Sequence, residues 1–452
     1  MISGKKIAIF GLGKEGVVSA NYLSLNNQIV IIDEKAKEDI DPAIFNAIKA
    51  QNTKFYLGGD YPKNEPFDLV VRSPGIKLEH PVIEALTSRG AALTSAIKIF
   101  FDECPCPIIG ITGTKGKGTT STLIYEMIKA DGKDVYLGGN IGNSPLEFLN
   151  DLAPNNFVVL ELSSFQLVDL TKSPHIAVVL MLTSEHLDWH KDTQEYVNAK
   201  SAIVSHQSKG DFAVINQDFE SSKSFAKKTQ AKVLFFSAKN KTNGLYLNGD
   251  ELVSDITKEV ICRVQDVFIP GRHNIQNVLA ASAVAKILNI DTKKIKEVVK
   301  TFKGLPHRLQ LVGMINGIKF YNDSFSTTPE TTIAAIESFK EPKILILGGS
   351  SKNSDFSSLA AKVHEDKTLK ALILIGAETK RIKGAIENAG GFNGKIIEGL
   401  DSMEEVVIRT KQLAQEDYVV ILSPACASFD MFKNYKDRGE QFINAVAKLS
   451  KQ

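Results

Sequence analysis

Short, near-continuous runs of aliphatic and β-branched residues recur along this chain, separated by segments with the 3.6-residue period of amphipathic helices. The apolar runs predict strands over Lys6–Phe10, Ile29–Ile32, Leu69–Arg72, Pro107–Thr112, Phe157–Leu162, Ile176–Leu182, Phe212–Ile215, Lys343–Leu347, Ala371–Ile375 and Tyr418–Leu422. They lack the alternation of a half-exposed strand, so they are expected to be covered on both faces by helices, as in parallel sheets. Strand and helix patterns in alternation predict an α/β fold. One stretch breaks the rhythm: Gly244–Val253 reads as a hairpin with Asn248-Gly249 at its turn. No fixed-period repeat and no low-complexity tract interrupts the pattern.

The elements group into three α/β domains. The first covers residues 1–96; the second, 97–303, is entered through Cys104-Pro-Cys-Pro and closed by helix-like Asp291–Phe302; the third, 304–452, begins at Gly304-Leu-Pro-His. A chain of 452 residues suits three domains of roughly 150. With 43% hydrophobic and 23% charged residues there is enough apolar material for several cores. The net charge is only +2, which gives no support to nucleic-acid or anionic-membrane binding. Four cysteines, none in a CxxC pair, indicate a reducing compartment. The N-terminus lacks the features of a signal peptide, and the longest apolar run, Ile176–Leu182, is far short of the ~20 residues of a membrane helix. The expectation is a cytoplasmic, soluble protein.

Three constellations carry chemistry. Gly11-Leu-Gly13-Lys-Glu-Gly16 follows the first strand and opens a helix, and Asp33 ends the second strand. That context lets a pyrophosphate approach a helix N-terminus while an acid takes a ribose hydroxyl; a dinucleotide or any nucleoside diphosphate fits it. Gly113-Thr-Lys-Gly-Lys117-Gly118-Thr119 lies between a strand and a helix whose stripe is Leu123, Ile124, Met127 and Ile128. Such a loop cradles phosphates, but Ile111 stands at the first glycine position of the strict P-loop pattern and Gly118 at the magnesium-binding hydroxyl position, which Thr119 could supply. Third come Asn140, Glu161 with Ser163-Ser164-Phe165-Gln166, Glu185-His186-Leu-Asp188-Trp-His190, and Lys200. A carboxylate at a strand's C-terminal end near a phosphate loop suits magnesium. His186 and His190 are spaced i, i+4, yet Leu187 occupies the glutamate position of a zincin, so a structural role is expected for His190.

These motifs resemble the Mur ligases. So do Gly271-Arg-His-Asn274-Ile-Gln-Asn277, Leu305-Pro-His-Arg308 and Asn322-Asp323-Ser324, and the resemblance runs in order along nearly the whole chain. The stretch Ser423–Gly439 is most similar to the D-glutamate-adding branch. The resemblance implies a Rossmann-like N-terminal domain for a UDP substrate, a central P-loop-type ATPase domain, and a C-terminal Rossmann-like α/β domain for the amino acid. It implies an ATP-dependent ligase joining D-glutamate to the terminal carboxylate of UDP-N-acetylmuramoyl-L-alanine through an acyl phosphate, acting as a monomer on small molecules.

By resemblance, Gly11, Gly13, Gly16, Ser73, Gly75, Asn140 and Ser163 would hold the UDP substrate. ATP would lie on Gly113, Thr114, Lys115, Gly116, Lys117, Gly118 and Thr119, with Asn274, Asn277, Arg308 and Asp323 completing its site. Thr119, Glu161, His186 and a carbamylated Lys200 would bind two magnesium ions; Lys117, Glu161, His186 and Lys200 form the catalytic set. Lys352, Ser428 and Tyr435 align with the D-glutamate pocket. Two positions depart from the pattern: Gly118, and Phe325 where a lysine is usual; Asp33-Glu34 is also unusually acidic for a uridine pocket. Another amino-acid-adding ligase of the same type is the nearest alternative. A nicotinamide oxidoreductase would use Gly11–Gly16 but leave the phosphate loop idle, and a nucleotide-gated scaffold would leave the C-terminal motif without a role.

Overall fold

The computed structural model describes residues 2–50, 53–140, 142–183, 185, 189–351 and 353–451. Among them the strands form three sheets of five, nine and six strands. The chain divides into two compact units, Met1–Val264 with Gln276–Val299, and Gln265–Ile275 with Lys300–Gln452.

The first unit contains two sheets. In the first, the parallel strands run in the order Lys54–Tyr56, Gln28–Ile32, Lys6–Phe10, Leu69–Arg72, Ala92–Ser95. The order reverses beside Lys6–Phe10, so the crevice at the carboxyl ends lies between Gly11 and Ser73, where doubly wound sheets bind ligands. The second sheet places Ile108–Thr112 between Phe157–Glu161 and Ile176–Val179, all parallel, with Val135–Gly139 at one edge. Phe212–Asn216 and Lys232–Ser237 extend it, and Leu245–Asn248, Glu251–Ser254 and Glu259–Arg263 end it as an antiparallel meander. Asn248 pairs with Glu251, so the hairpin loop is Gly249-Asp250, one residue later than the sequence predicts, with Gly249 at φ +61°.

The two sheets share a core. Ile7, Ile9 and Val71 of the first pack in one cluster with Val158 and Leu160 of the second and with Leu146 and Phe148 of the turns that follow its edge strand Val135–Gly139. Each expected strand in this unit is a strand, and the predicted helix stripe Leu123, Ile124, Met127 and Ile128 is fully buried along helix Lys117–Ala130.

The second unit is built on a sheet ordered Gln310–Ile315, Ile318–Asn322, Val419–Leu422, Lys343–Gly348, Leu369–Ile375, Lys395–Ile397. Only its first pair is antiparallel. Apolar clusters cover both of its faces, which explains the uninterrupted apolar runs. No helix among the described residues is long and apolar enough to cross a membrane.

Candidate functional site

Two of the three glycines of the first crevice, Gly11 and Gly16, cannot be replaced without collision. Gly11 has φ +101°, and a Cβ there would lie 2.7 Å from Ser73 Cβ; one on Gly16 would lie 2.1 Å from the Gly11 carbonyl. Gly13 has open space around it. Ser73 Oγ donates to Gly11 O at 2.7 Å, tying the two loops together. Asp33 does not present a free acid: its carboxylate accepts from Leu12 N at 2.5 Å and Lys35 N at 2.8 Å. The acidic Asp33 is thus used to shape the glycine loop.

The phosphate loop follows the wholly buried strand Ile108–Thr112. Thr114 N donates to Met181 O at 2.7 Å, and Thr183 N donates to the Thr114 hydroxyl at 2.9 Å, pinning the loop to the neighbouring strand's exit. Gly116 caps helix Lys117–Ala130 in the left-handed region, φ +88°, and a Cβ there would sit 2.3 Å from Asn277 Oδ1. The helix N-terminus therefore faces the loop, the arrangement that favours phosphate oxygens. Lys117 Nζ donates to Gly113 O at 3.0 Å and Thr114 O at 3.1 Å, so its amine is held over the loop. Lys115 pairs with Glu185 at 3.0 Å. Gly118 is buried in the helix's first turn and Thr119 is half-buried beside it.

Glu161 is buried at the end of its strand, and Asn140 Nδ2 donates to its Oε1 at 2.8 Å. Gly139, at φ +98°, permits this approach, since a Cβ there would lie 2.2 Å from Glu161 O. Ser163 caps the short helix Ser164–Leu167, accepting from Gln166 N at 3.3 Å, and Gln166 in turn donates to Glu15 Oε1 at 2.7 Å. Lys200, 2% exposed, projects from helix Thr193–Ser205 and donates to Thr112 Oγ1 at 3.3 Å, with the Tyr196 ring 4.8 Å away. No described carboxylate lies within ion-pair distance of it. Burial first, and Lys117 second, hold its pKa well below the ordinary lysine value, against the pull of Glu185 and Glu161.

Thr112 and Glu161 end adjacent strands, so the central sheet gathers the loop, Glu161 and Lys200 at one edge. Thr119 and Glu161 offer hydroxyl and carboxylate oxygens, a donor set that fits a hard cation such as magnesium. His186 and Lys352 lie outside the described residues. His190 is buried between Ser164 Oγ at 2.9 Å and Glu195 at 3.3 Å and stacks on Phe165, the structural role expected of it.

In the second unit, Asp323 follows strand Ile318–Asn322 and accepts from Leu309 N at 3.1 Å and Ser423 Oγ at 2.7 Å. Burial outweighs these bonds and pushes its pKa up to about 6. Arg308 is exposed and stacks on Phe325, 3.9 Å from the ring centroid; the Tyr435 ring meets Phe325 edge-on at 5.0 Å. Ser428 is buried, and its carbonyl accepts from Phe432 N at 2.9 Å. Asn274, whose side chain donates to Pro270 O at 2.6 Å, belongs to this unit, while Asn277 belongs to the first and accepts from Thr120 Oγ1 at 3.3 Å.

Sequence reasoning missed two buried arginines. Arg438 is fully buried and donates to Ser324 Oγ, Ser324 O, Ala427 O and Cys426 O at 2.9–3.1 Å, fastening the loop that carries Ser428. Arg72 is fixed as firmly in the first unit. Their signal was present: a lone cation closing an apolar strand, and another opening an amphipathic helix.

Comparison with known proteins agrees with this architecture. Family models match residues 5–95 (Mur ligase MurD-like, N-terminal domain), 111–285 (Mur ligase middle domain) and 307–426 (Mur ligase, glutamate ligase domain). The UDP-N-acetylmuramoylalanine–D-glutamate ligase of Acetivibrio thermocellus is 40% identical over 453 residues, spanning 98% of this chain and 97% of that protein. The enzyme of the same name from Clostridium tetani is 38% identical, over 99% and 98%. Among solved structures, UDP-N-acetylmuramate-alanine ligase MurC from Thermotoga maritima shares the fold with TM-score 0.61 at 17% identity, over 98% of this chain and 100% of that one. MurF ligase from the same organism, in complex with ADP, gives 0.60 at 17%, over 98% of each chain. With three domain matches in order and full-length relatives well above 30% identity, this chain belongs to the Mur ligase family.

Proposed function

We propose that this chain joins D-glutamate to the terminal carboxylate of UDP-N-acetylmuramoyl-L-alanine at the expense of ATP, a cytoplasmic step of peptidoglycan synthesis. One observation carries the reading: a glycine-cornered phosphate loop, the Glu161 carboxylate and the buried Lys200 amine meet at one edge of the central sheet. Full-length relatives named as D-glutamate ligases, 35–40% identical, support the choice of substrates.

ATP lies on Gly113–Thr119, with Asn277 toward its adenine. The Lys117 amine exchanges the Gly113 and Thr114 carbonyls for the terminal phosphates, and with the helix N-terminal amides it offsets charge on the transferring phosphoryl group. A substrate carboxylate oxygen attacks the γ-phosphorus, the bond to the β–γ bridging oxygen breaks, and ADP and an acyl phosphate result. The uncharged amine of D-glutamate then attacks the acyl carbon. Phosphate leaves with the electrons of the C–O bond, and the amine proton passes to a base, for which His186 is the candidate.

Thr119, Glu161, His186 and Lys200 would hold magnesium, two ions in all, which when bound neutralises phosphate charge. Carbon dioxide adds to the uncharged amine of a lysine, a form that a lowered pKa makes more accessible at Lys200: an N–C bond forms, one N–H proton leaves to solvent, and the amine becomes a carboxylate ligand. Gly11, Gly13, Gly16, Ser73, Gly75, Asn140 and Ser163 hold the UDP substrate, and Lys352, Ser428 and Tyr435 hold D-glutamate. The working domains are 1–96, 97–303 and 304–452, in a monomer.

The test is phosphate release from ATP with UDP-N-acetylmuramoyl-L-alanine and D-glutamate, L-glutamate, L-lysine or meso-diaminopimelate in turn. D-glutamate alone is expected to sustain turnover. Preference for another amine leaves the ligase chemistry standing and overturns the amino-acid assignment.

A further inference from the structure

We infer that Arg72 is the positioning residue of the loop Ser73–Ile76, holding it in the form that receives the diphosphate of the substrate. This rests on the reading that the loop binds UDP-N-acetylmuramoyl-L-alanine. Arg72 ends its strand 1% exposed. Its Nη1 donates to Ile76 O at 2.7 Å and Pro74 O at 3.1 Å, with Ser73 O at 3.4 Å. Its Nη2 donates to Phe165 O and to Asp169 Oδ1, each at 3.0 Å. The remaining carbonyl of the loop, Gly75 O, accepts from the Trp189 indole at 3.1 Å.

Every carbonyl from Ser73 to Ile76 is therefore engaged by a donor, three of them by one cation. Acceptor lone pairs that would repel a diphosphate are occupied, and the loop is wrapped around a fixed centre. The same guanidinium grips the segment after Glu161 and Ser163, so one side chain sets the loop of the first sheet against the substrate-side turn of the second. A lysine cannot do this, because a single nitrogen does not span both sets of acceptors. Stability is a poor reason for the pair. A desolvated ion pair gains little over apolar packing, and Arg72 Nε and Asp169 Oδ2 find no hydrogen-bond partner among the described residues. Position is the better reason.

The experiment uses the full chain with Arg72→Lys and Asp169→Asn. Calorimetric titration with UDP-N-acetylmuramoyl-L-alanine and, separately, with ADP is expected to show substrate Kd raised about tenfold to a hundredfold in Arg72→Lys, less in Asp169→Asn, and ADP Kd unchanged in both. Hydrogen exchange across residues 73–76 should accelerate in both variants without ligand. Equal weakening of both ligands, or unchanged substrate binding in either folded variant, overturns the inference. Should Arg72→Lys not fold, the near-isosteric Asp169→Asn decides alone. If the unsubstituted protein binds ADP but not the UDP substrate while loop exchange still responds to Arg72→Lys, the functional reading fails and the positioning of the loop stands.

Discussion

Lys117 and Lys200 are both lysines near a phosphate loop, but their surroundings give them opposite duties. Lys117 is hydrogen-bonded over the loop as a cation, so Lys117→Ala should lower phosphate release by ~10²-fold or more in a steady-state assay. Lys200 is buried, and that burial holds its pKa well below the ordinary lysine value. Lys200→Ala should be nearly inactive, and acetate or a similar short carboxylate should partly restore turnover; absence of any rescue would count against the carbamate. Phe325 is the departure that the geometry explains. An exposed phenyl ring replaces a cation, but it carries the Arg308 guanidinium on its face and is braced edge-on by Tyr435. An exposed cation–π contact is worth roughly 0.5–1 kcal/mol. Phe325→Leu should therefore raise the KM for ATP about twofold to fivefold, while Phe325→Tyr leaves it unchanged.

At the scale of elements, glycine placement decides whether the phosphate loop can meet its helix. Gly116 sits at the left-handed cap, and its missing Cβ makes room for Asn277, which is 161 positions further along the chain and on another helix. Gly116→Ala combines left-handed strain, about 1–2 kcal/mol, with a collision at 2.3 Å. The expected result is a lowered urea midpoint of the first unit and weakened ADP binding together. Unchanged ADP affinity in the destabilised variant would separate the loop from the nucleotide site. The strands themselves were legible because uninterrupted apolar runs leave few alternatives. The edge strands Lys54–Tyr56, Ala92–Ser95 and Lys395–Ile397 were not, being short and partly exposed, and neither were the interior strands Lys232–Ser237 and Ile318–Asn322, whose burial alternates instead of running continuously.

For the whole molecule, pH dependence follows from Asp323, whose folded pKa of about 6 lies above its usual 3.8. The folded state then binds the proton more tightly than the unfolded chain, so this group's contribution is greatest in acid and is lost as pH rises from about 4 to about 6, by about 3 kcal/mol. Thermal melts should show the difference between the unsubstituted protein and Asp323→Asn shrinking across that window and staying constant above it. A difference that grows with pH would reverse the assignment. Other carboxylates act in the opposite sense. Glu259, held down to about 2 by Lys286, is one, and comparison with Asp323→Asn cancels such terms.

The sequence alone determined the α/β class, most of the central strands, the phosphate loop and its helix, and the family, because these depend on local periodicity and on motifs contiguous in the chain. It also marked Glu161 and Lys200 by their company. Tertiary structure decided what each of them touches. The reversal of strand order beside Lys6–Phe10 brings Gly11 to Ser73, and the order of the central sheet sets Thr112 beside Glu161 and within reach of Lys200. The same long-range geometry turns Asp33 inward to Leu12 and commits Arg72 to carbonyls of two separate loops, Ser73–Ile76 and the segment at Phe165. A buried charge is satisfied by whatever acceptors the fold delivers, and residues 93 positions apart in the chain, such as Arg72 and Phe165, carry no local signal that they will meet.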